Sequence, residues 1–227
     1  MLKLTYENFW EEYPHLVSLL FPPISEEDGL LESDIIQAEE RLGIKIPTLL
    51  REFYRKAGKH ESNSIYDFLI LPDKLQLYDN RYVAFMEENQ GCYLIGWDIE
   101  SAENNPPTFF LSVSRGTDWE PEAREMSSSF AYLLLVQATR GDALPYGYGD
   151  GAATRKKFET FTEDWIMVEV GNLVGAIKEK AALLFFPGEK KNEKGMIWGA
   201  CSTAEDARAF EEILDMGFEW LDVEEEI

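Results

Sequence analysis

Histidine and cysteine are scarce in this chain, with two of each in 227 residues. His15 and His60 have no second soft ligand nearby, and neither Cys-x-x-Cys nor His-x-x-x-His occurs, so the usual zinc ligand sets are missing. No metal site and no cofactor are expected. Long apolar runs are also missing: the longest, around YLLLV at 132–136 and ALLFF at 182–186, fall far short of the ~20 residues that cross a bilayer. The first residues, MLKLTYENFWEEYPH, are acidic and aromatic where a secretory signal needs a basic start and an apolar run, so a cytoplasmic protein is expected. In a reducing compartment Cys92 and Cys201, both in strand-like apolar surroundings, read as buried free thiols. Basic residues are outnumbered 43 to 21, for a formal net charge of −22. Such a potential repels nucleic acid and anionic membranes and steers basic partners inward, although solubility alone is its plainest explanation.

What is present is a foldable chain, 45% apolar and 13% aromatic. Phe9, Trp10, Tyr13, Leu16 and Leu20 form a helical stripe before the break at FPPISEEDG, 21–29. Ser33 caps a predicted helix carrying Ile35, Ala38 and Leu42, and Gly43 supplies a left-handed stop. IKIP leads into a second helix: Pro47 suits its first turn, Leu50, Phe53, Tyr54 and Ala57 give one face, and Gly58 ends it. From Tyr66 the period changes to two. DFLIL, YVAFMEE and CYLIGWD read as antiparallel strands, the last two joined by Asn89-Gln90-Gly91. TFFLSV at 108–113 is a further strand with Phe109, Leu111 and Val113 on one face. Ser127 to Ser129 open a helix through FAYLLLVQATR that closes at Gly141. Beyond it, DWIMVEV, AALLFF and MIWGACS read as strands and LPYGYGDGAA (144–153) as a loop. A capping box at Thr203 to Asp206 starts a helix with Ala207, Phe210 and Leu214, Gly217 ends it, and FEWLDV is a final edge strand.

The succession SDIIQAEERLGIKIPTLLREFYRKAGK, a strand at DFLIL, then VAFMEENQGCYLIGWD resembles the SUKH superfamily, in particular its branch of cell-wall assembly regulators. The residues that carry the resemblance are Ala38, Glu39, Leu42, Gly43, Pro47, Phe53, Tyr54, Gly58, Glu88, Asn89, Gln90, Gly91 and Trp97, within a stretch from 33 to about 140. It implies an α+β fold with a mixed or antiparallel sheet flanked by helices. The expected organisation is a SUKH-like core with N-terminal helices over 1–141 and an α/β C-terminal extension over 142–227, packed on the core as one domain. It also implies a protein-interaction module: bacterial relatives are immunity proteins that neutralise a toxin, often a nuclease, and fungal relatives act in cell-wall synthesis signalling. The motif residues themselves read mainly as scaffold, since they define an elbow and a turn.

Three chemical readings fail on context. Cys92 in NQGCY lacks a spaced histidine base and reads better as a strand thiol. GYGDGA at 147–152 fits Gly-x-Gly-x-x-Ala but follows GDALP rather than a strand. Adjacent carboxylates such as Glu87 with Glu88, or Glu120 with Glu122, are commonplace in so acidic a chain and default to a solvated face. A non-enzymatic binding surface remains. Its candidates are the carboxylates Glu87, Glu88, Asp98, Glu120 and Asp150 with the aromatic anchors Trp97, Trp119, Tyr146 and Tyr148, facing a basic protein partner such as a toxin domain. A regulatory scaffold is the first alternative. An enzyme with a polar pocket near Asp150, Arg155 or Trp165 is the second. Oligomeric state is not legible.

Overall fold

The computed structural model describes residues 1–104, 107–114, 116–122, 124–141, 144, 148–190 and 193–219. Along the chain run strand β1 (Leu2–Lys3), helices α1 (Phe9–Leu20), α2 (Glu32–Leu42) and α3 (Thr48–Ala57), and six strands: β2 (Phe68–Leu69), β3 (Leu77–Tyr78), β4 (Tyr82–Glu87), β5 (Leu94–Asp98), β6 (Phe109–Ser114) and β7 (Thr117–Pro121). After α4 (Met126–Arg140) come β8 (Tyr148–Thr154), α5 (Arg155–Phe161), β9 (Ile166–Val170), β10 (Leu173–Lys178), β11 (Ala181–Phe186), β12 (Lys194–Cys201), α6 (Ala204–Leu214) and β13 (Gly217–Glu219). This is an α+β protein with two sheets. It divides into two compact units: a first of Thr5–Phe9 and Ile24–Phe130, and a second of Met1–Leu4, Trp10–Pro23 and the chain from Ala131 onward.

In the first unit the sheet order is β2-β4-β5-β6-β7, with β3 also pairing β4, and every pairing is antiparallel. Its core sits on one face, where Phe53 stacks on Phe130 with ring centroids 3.8 Å apart, Phe9 packs against both, and Phe85 meets Trp97, Phe109 and Phe130. A bulge between Ala84 and Met86 turns both Phe85 and Met86 toward that core. The elbow between α2 and α3 is held by Glu39. One of its carboxylate oxygens accepts the Ile46 N–H at 3.0 Å and the other pairs with Arg51 at 2.8 Å. That contact explains why an Ala-Glu pair precedes the elbow: alanine faces the core and glutamate ties the next helix.

Helix ends differ from expectation in detail. Ser33 is not the cap, because α2 starts at Glu32 and its cap position is Leu31, two residues earlier. Glu32 gains ion pairs to Arg51 and Arg55, and an acidic side chain in a first turn is favoured by the helix field. Gly43 does end α2 in the left-handed region, φ 66°. Gly58 is needed for a different reason: its φ is −58°, but a Cβ would lie 2.7 Å from the Tyr54 carbonyl oxygen and 2.8 Å from the Leu30 side chain. Pro47 is the cap position itself, immediately before Thr48.

The second unit is built on a sheet of order β1-β9-β10-β11-β12-β8-β13, antiparallel except for the parallel pair β1 with β9. One face carries a core in which Phe158 stacks on Phe185 at 5.0 Å and Phe210 meets Phe161 and Trp165. Thr203 caps α6 by accepting the Asp206 N–H at 3.1 Å, as its capping box predicts. The helix ends at Asp215 in the left-handed region rather than at Gly217, which opens β13 instead. The largest departure from the sequence reading is β8, expected as a loop from its Gly-rich composition. Gly151 has no side chain because Met216 occupies that space, and a Cβ there would lie 2.2 Å from the Met216 Cγ. Packing, rather than turn formation, selects glycine there. The strands β1 and β10 and the short helix α5 were also not anticipated. Of FEWLDV, the part from residue 220 lies outside the described residues.

Candidate interaction site

In an antiparallel sheet, directly paired residues share a face. In the first unit the rows Tyr82 with Asp98, Ala84 with Gly96 with Phe110 with Pro121, and Glu87 with Leu94 with Ser112 with Trp119 therefore lie opposite the core row of Val83, Trp97 and Phe109. Along this second face Trp119 stacks on Tyr82 with centroids 5.1 Å apart, Tyr78 tilts against Trp119 at 5.7 Å, and Tyr82 meets Phe110 at 4.8 Å. All four rings are half-buried. The absent side chain at Gly96 makes room for the indole, since a Cβ there would lie 3.0 Å from the Trp119 ring. The Trp119 N–H donates to the Gly116 carbonyl at 2.9 Å, which fixes the ring edge-on to the β6–β7 turn. The Arg81 guanidinium lies 5.3 Å from the Tyr82 centroid, at the margin of this aromatic plate.

The hairpin tip beside the plate is pinned by two carboxylates. Buried Asp67 accepts the Asn89 N–H at 3.2 Å and the Tyr93 hydroxyl at 3.0 Å. Burial pushes the Asp67 carboxyl above the usual carboxylate range, against the pull of those two donors. Glu88 accepts the N–H groups of Gln90 and Cys92 at 3.1 and 2.9 Å, while Gly91 takes φ 68° to close the turn. The Glu-Asn-Gln-Gly motif is thus a self-bonded turn.

The structure sorts the expected site residues sharply. Glu87 and Glu120 are exposed and form no ion pair with any described residue, and Trp119 is the centre of the plate. Glu88 serves its own turn. Trp97 is fully buried in the core and cannot anchor a partner. Asp98 is 5% exposed, and its carboxylate receives Arg81 at 3.0 and 2.7 Å and the Glu100 N–H at 3.0 Å. Both were expected at the surface because Trp97 and Asp98 follow the hairpin directly, but β5 is the middle strand of this sheet. Tyr146 lies outside the described residues. Tyr148 and Asp150 belong to the second unit, where Arg140 forms an ion pair with Asp150 and stacks over Trp198 at 4.3 Å. Tyr78, Tyr82 and Phe110 were missed. No local spacing links them, because they lie on β3, β4 and β6 and only strand pairing brings them to one face.

Cys92 is exposed in the turn, not buried as expected, because a strand reading of CYLIGWD starts two residues too early. Cys201 is buried, and burial pushes its thiol up to about 11, so thiolate chemistry at neutral pH is suppressed. Val113 is 68% exposed near the end of β6, whereas Ser112 on the other face is buried under the β7 connection. Residues considered for an enzyme pocket are separately engaged: Asp150 with Arg140, Arg155 with Glu159 at 2.8 Å, and Trp165 with Phe161, Phe210 and the Lys178 ammonium. Among the described residues no helix is long and apolar enough to cross a membrane.

Residues 29–135, from just before α2 into α4, match the family model described as the SMI1 / KNR4 family (SUKH-1), which supports the SUKH superfamily for this stretch. Members of that superfamily are protein-interacting modules and generally non-enzymatic. No curated protein and no solved structure matches the chain.

Proposed function

We propose that the chain is a cytoplasmic immunity-type protein that binds and neutralises a basic toxin domain, using the aromatic plate of the first unit and the carboxylates beside it. The observation that carries this reading is the sheet face itself: four aromatic rings in mutual contact, half-exposed and sharing their face with Glu87, in a chain with a net charge of −22. Aromatic anchors supply most interface energy, and complementary charge speeds encounter and sets partner choice. A nuclease is the favoured toxin class, because its phosphate-binding surface is basic and carboxylates compete there for the same cations. Non-enzymatic action follows from occlusion. The regulatory-scaffold reading uses the same surface without a toxin. Co-purification with the products of neighbouring genes, followed by a protection assay in toxin-expressing cells, separates the two. A salt-sensitive complex and cell survival are expected; absence of both removes the immunity reading.

A further inference from the structure

Beside the aromatic plate the hairpin encloses a cavity of about 350 Å3 lined by Tyr78, Glu87, Asn89, Gln90, Gly91 and Leu94. Its chemistry is one-sided. Among the described residues that line it, the single ionic group is the Glu87 carboxylate, none is lysine or arginine, and Asn89 brings a buried side-chain carbonyl oxygen with no hydrogen-bond partner among the described residues. Most other acidic groups around it are already engaged: Asp67 and Glu88 hold the turn, Asp98 holds Arg81, and Glu122 pairs with Arg124 at 2.8 Å. Glu87 thus differs from these neighbours in having neither an ion pair nor a side-chain hydrogen bond with a described residue. It lies close enough to Tyr78 that, after burial, its charge is what pushes the Tyr78 hydroxyl upward. The turn behind the cavity is closed by its own hydrogen bonds, which hold the backbone that carries Glu87 and Asn89 in place before a ligand arrives.

We infer that this cavity is a receptor for a single arginine side chain of the partner, with Glu87 taking the guanidinium, Asn89 supplying a second acceptor and Tyr78 and Leu94 covering the stem. A planar fork of donors suits acceptors spread over two side chains, and a guanidinium packs on an aromatic ring better than a compact, strongly hydrated ammonium does. The biological occupant rests on the proposed toxin-binding function; the cavity's preference for a guanidinium does not.

The test uses the full chain and a model ligand, N-acetyl-arginine methylamide, with backbone amide shifts of Asn89, Gln90 and Gly91 as the readout. The citrulline analogue keeps the shape and removes the charge; it should bind at least about tenfold more weakly, and the lysine analogue several-fold more weakly. Glu87→Gln should weaken the arginine probe by a similar factor of about ten with an otherwise unchanged spectrum, whereas Glu163→Gln, an exposed carboxylate in the second unit, should leave it unchanged. Equal shifts with arginine and citrulline, or an unaffected Glu87→Gln variant, overturn the inference. If the probe binds and no toxin does, the cavity assignment stands and only the proposed function falls. If a toxin binds wild type and Glu87→Gln alike while the probe shifts nothing, only the cavity assignment falls.

Discussion

Both units pack aromatic residues in a core, and they differ in what the opposite sheet face carries: in the second unit it is the half-buried pair Phe186 and Trp198, with the Arg140 guanidinium 4.3 Å from the Trp198 centroid. In the second, Phe158, Phe161, Trp165, Phe185 and Phe210 meet one another on the face of the sheet covered by α5 and α6, and their energy goes into the core. In the first, one sheet face does the same with Phe9, Phe53, Phe85, Trp97 and Phe130, while the other stacks Tyr78, Tyr82, Phe110 and Trp119 at the surface. Rings that bury only half their area against each other leave the other half for a partner. Aromatic content alone therefore says little about binding; what counts is which face of which strand carries the ring.

Breaking the core side of this comparison should have the largest effect. Phe53→Ala removes a fully buried ring stacked on Phe130 and should cost about 3–5 kcal/mol, read as a lower urea midpoint. On the plate, Trp119→Ala should cost roughly 2 kcal/mol or more of partner affinity by calorimetry, with a smaller loss of stability. Stability losses matching those of Phe53→Ala would show that the plate is core after all. In the second unit, Gly151→Ala drives a methyl into Met216 and should cost about 1–3 kcal/mol by thermal unfolding, which an ordinary loop glycine would not.

The smallest effect concerns pH. Because burial raises the Asp67 carboxyl in the folded state, its contribution to stability is greatest below its unfolded value and is lost as pH rises through the folded value. Wild type should therefore lose stability relative to Asp67→Asn as pH climbs from about 4 toward neutrality, seen as faster amide exchange at Asn89 in wild type than the variant difference at pH ~3 would give. A difference that does not vary with pH would remove the burial argument for this hairpin.

Much of the SUKH-like stretch is legible because its signals are local. The left-handed glycine at Gly43, the proline before Thr48, the apolar face of α3 and the turn at Gly91 each act within a few residues. Thr203 is legible for the same reason. The misreadings share a cause of the opposite kind. β8 looks like a loop until Met216 is placed beside Gly151, and Trp97 looks like an anchor until β5 is known to lie between β4 and β6. Neither neighbour is near in sequence.

The candidate site divides along the same line. Residue order by itself determined the family resemblance, the helical elbow, the hairpin turn and the acidic charge, because caps, turns and net charge depend on local sequence or on simple sums. Only the tertiary structure decided that Asp98 and Glu88 are spent internally while Glu87 is not, and that Tyr78, Tyr82, Phe110 and Trp119 share one face. Strand register, set by pairings across the sheet, chooses the side on which each ring and carboxylate emerges.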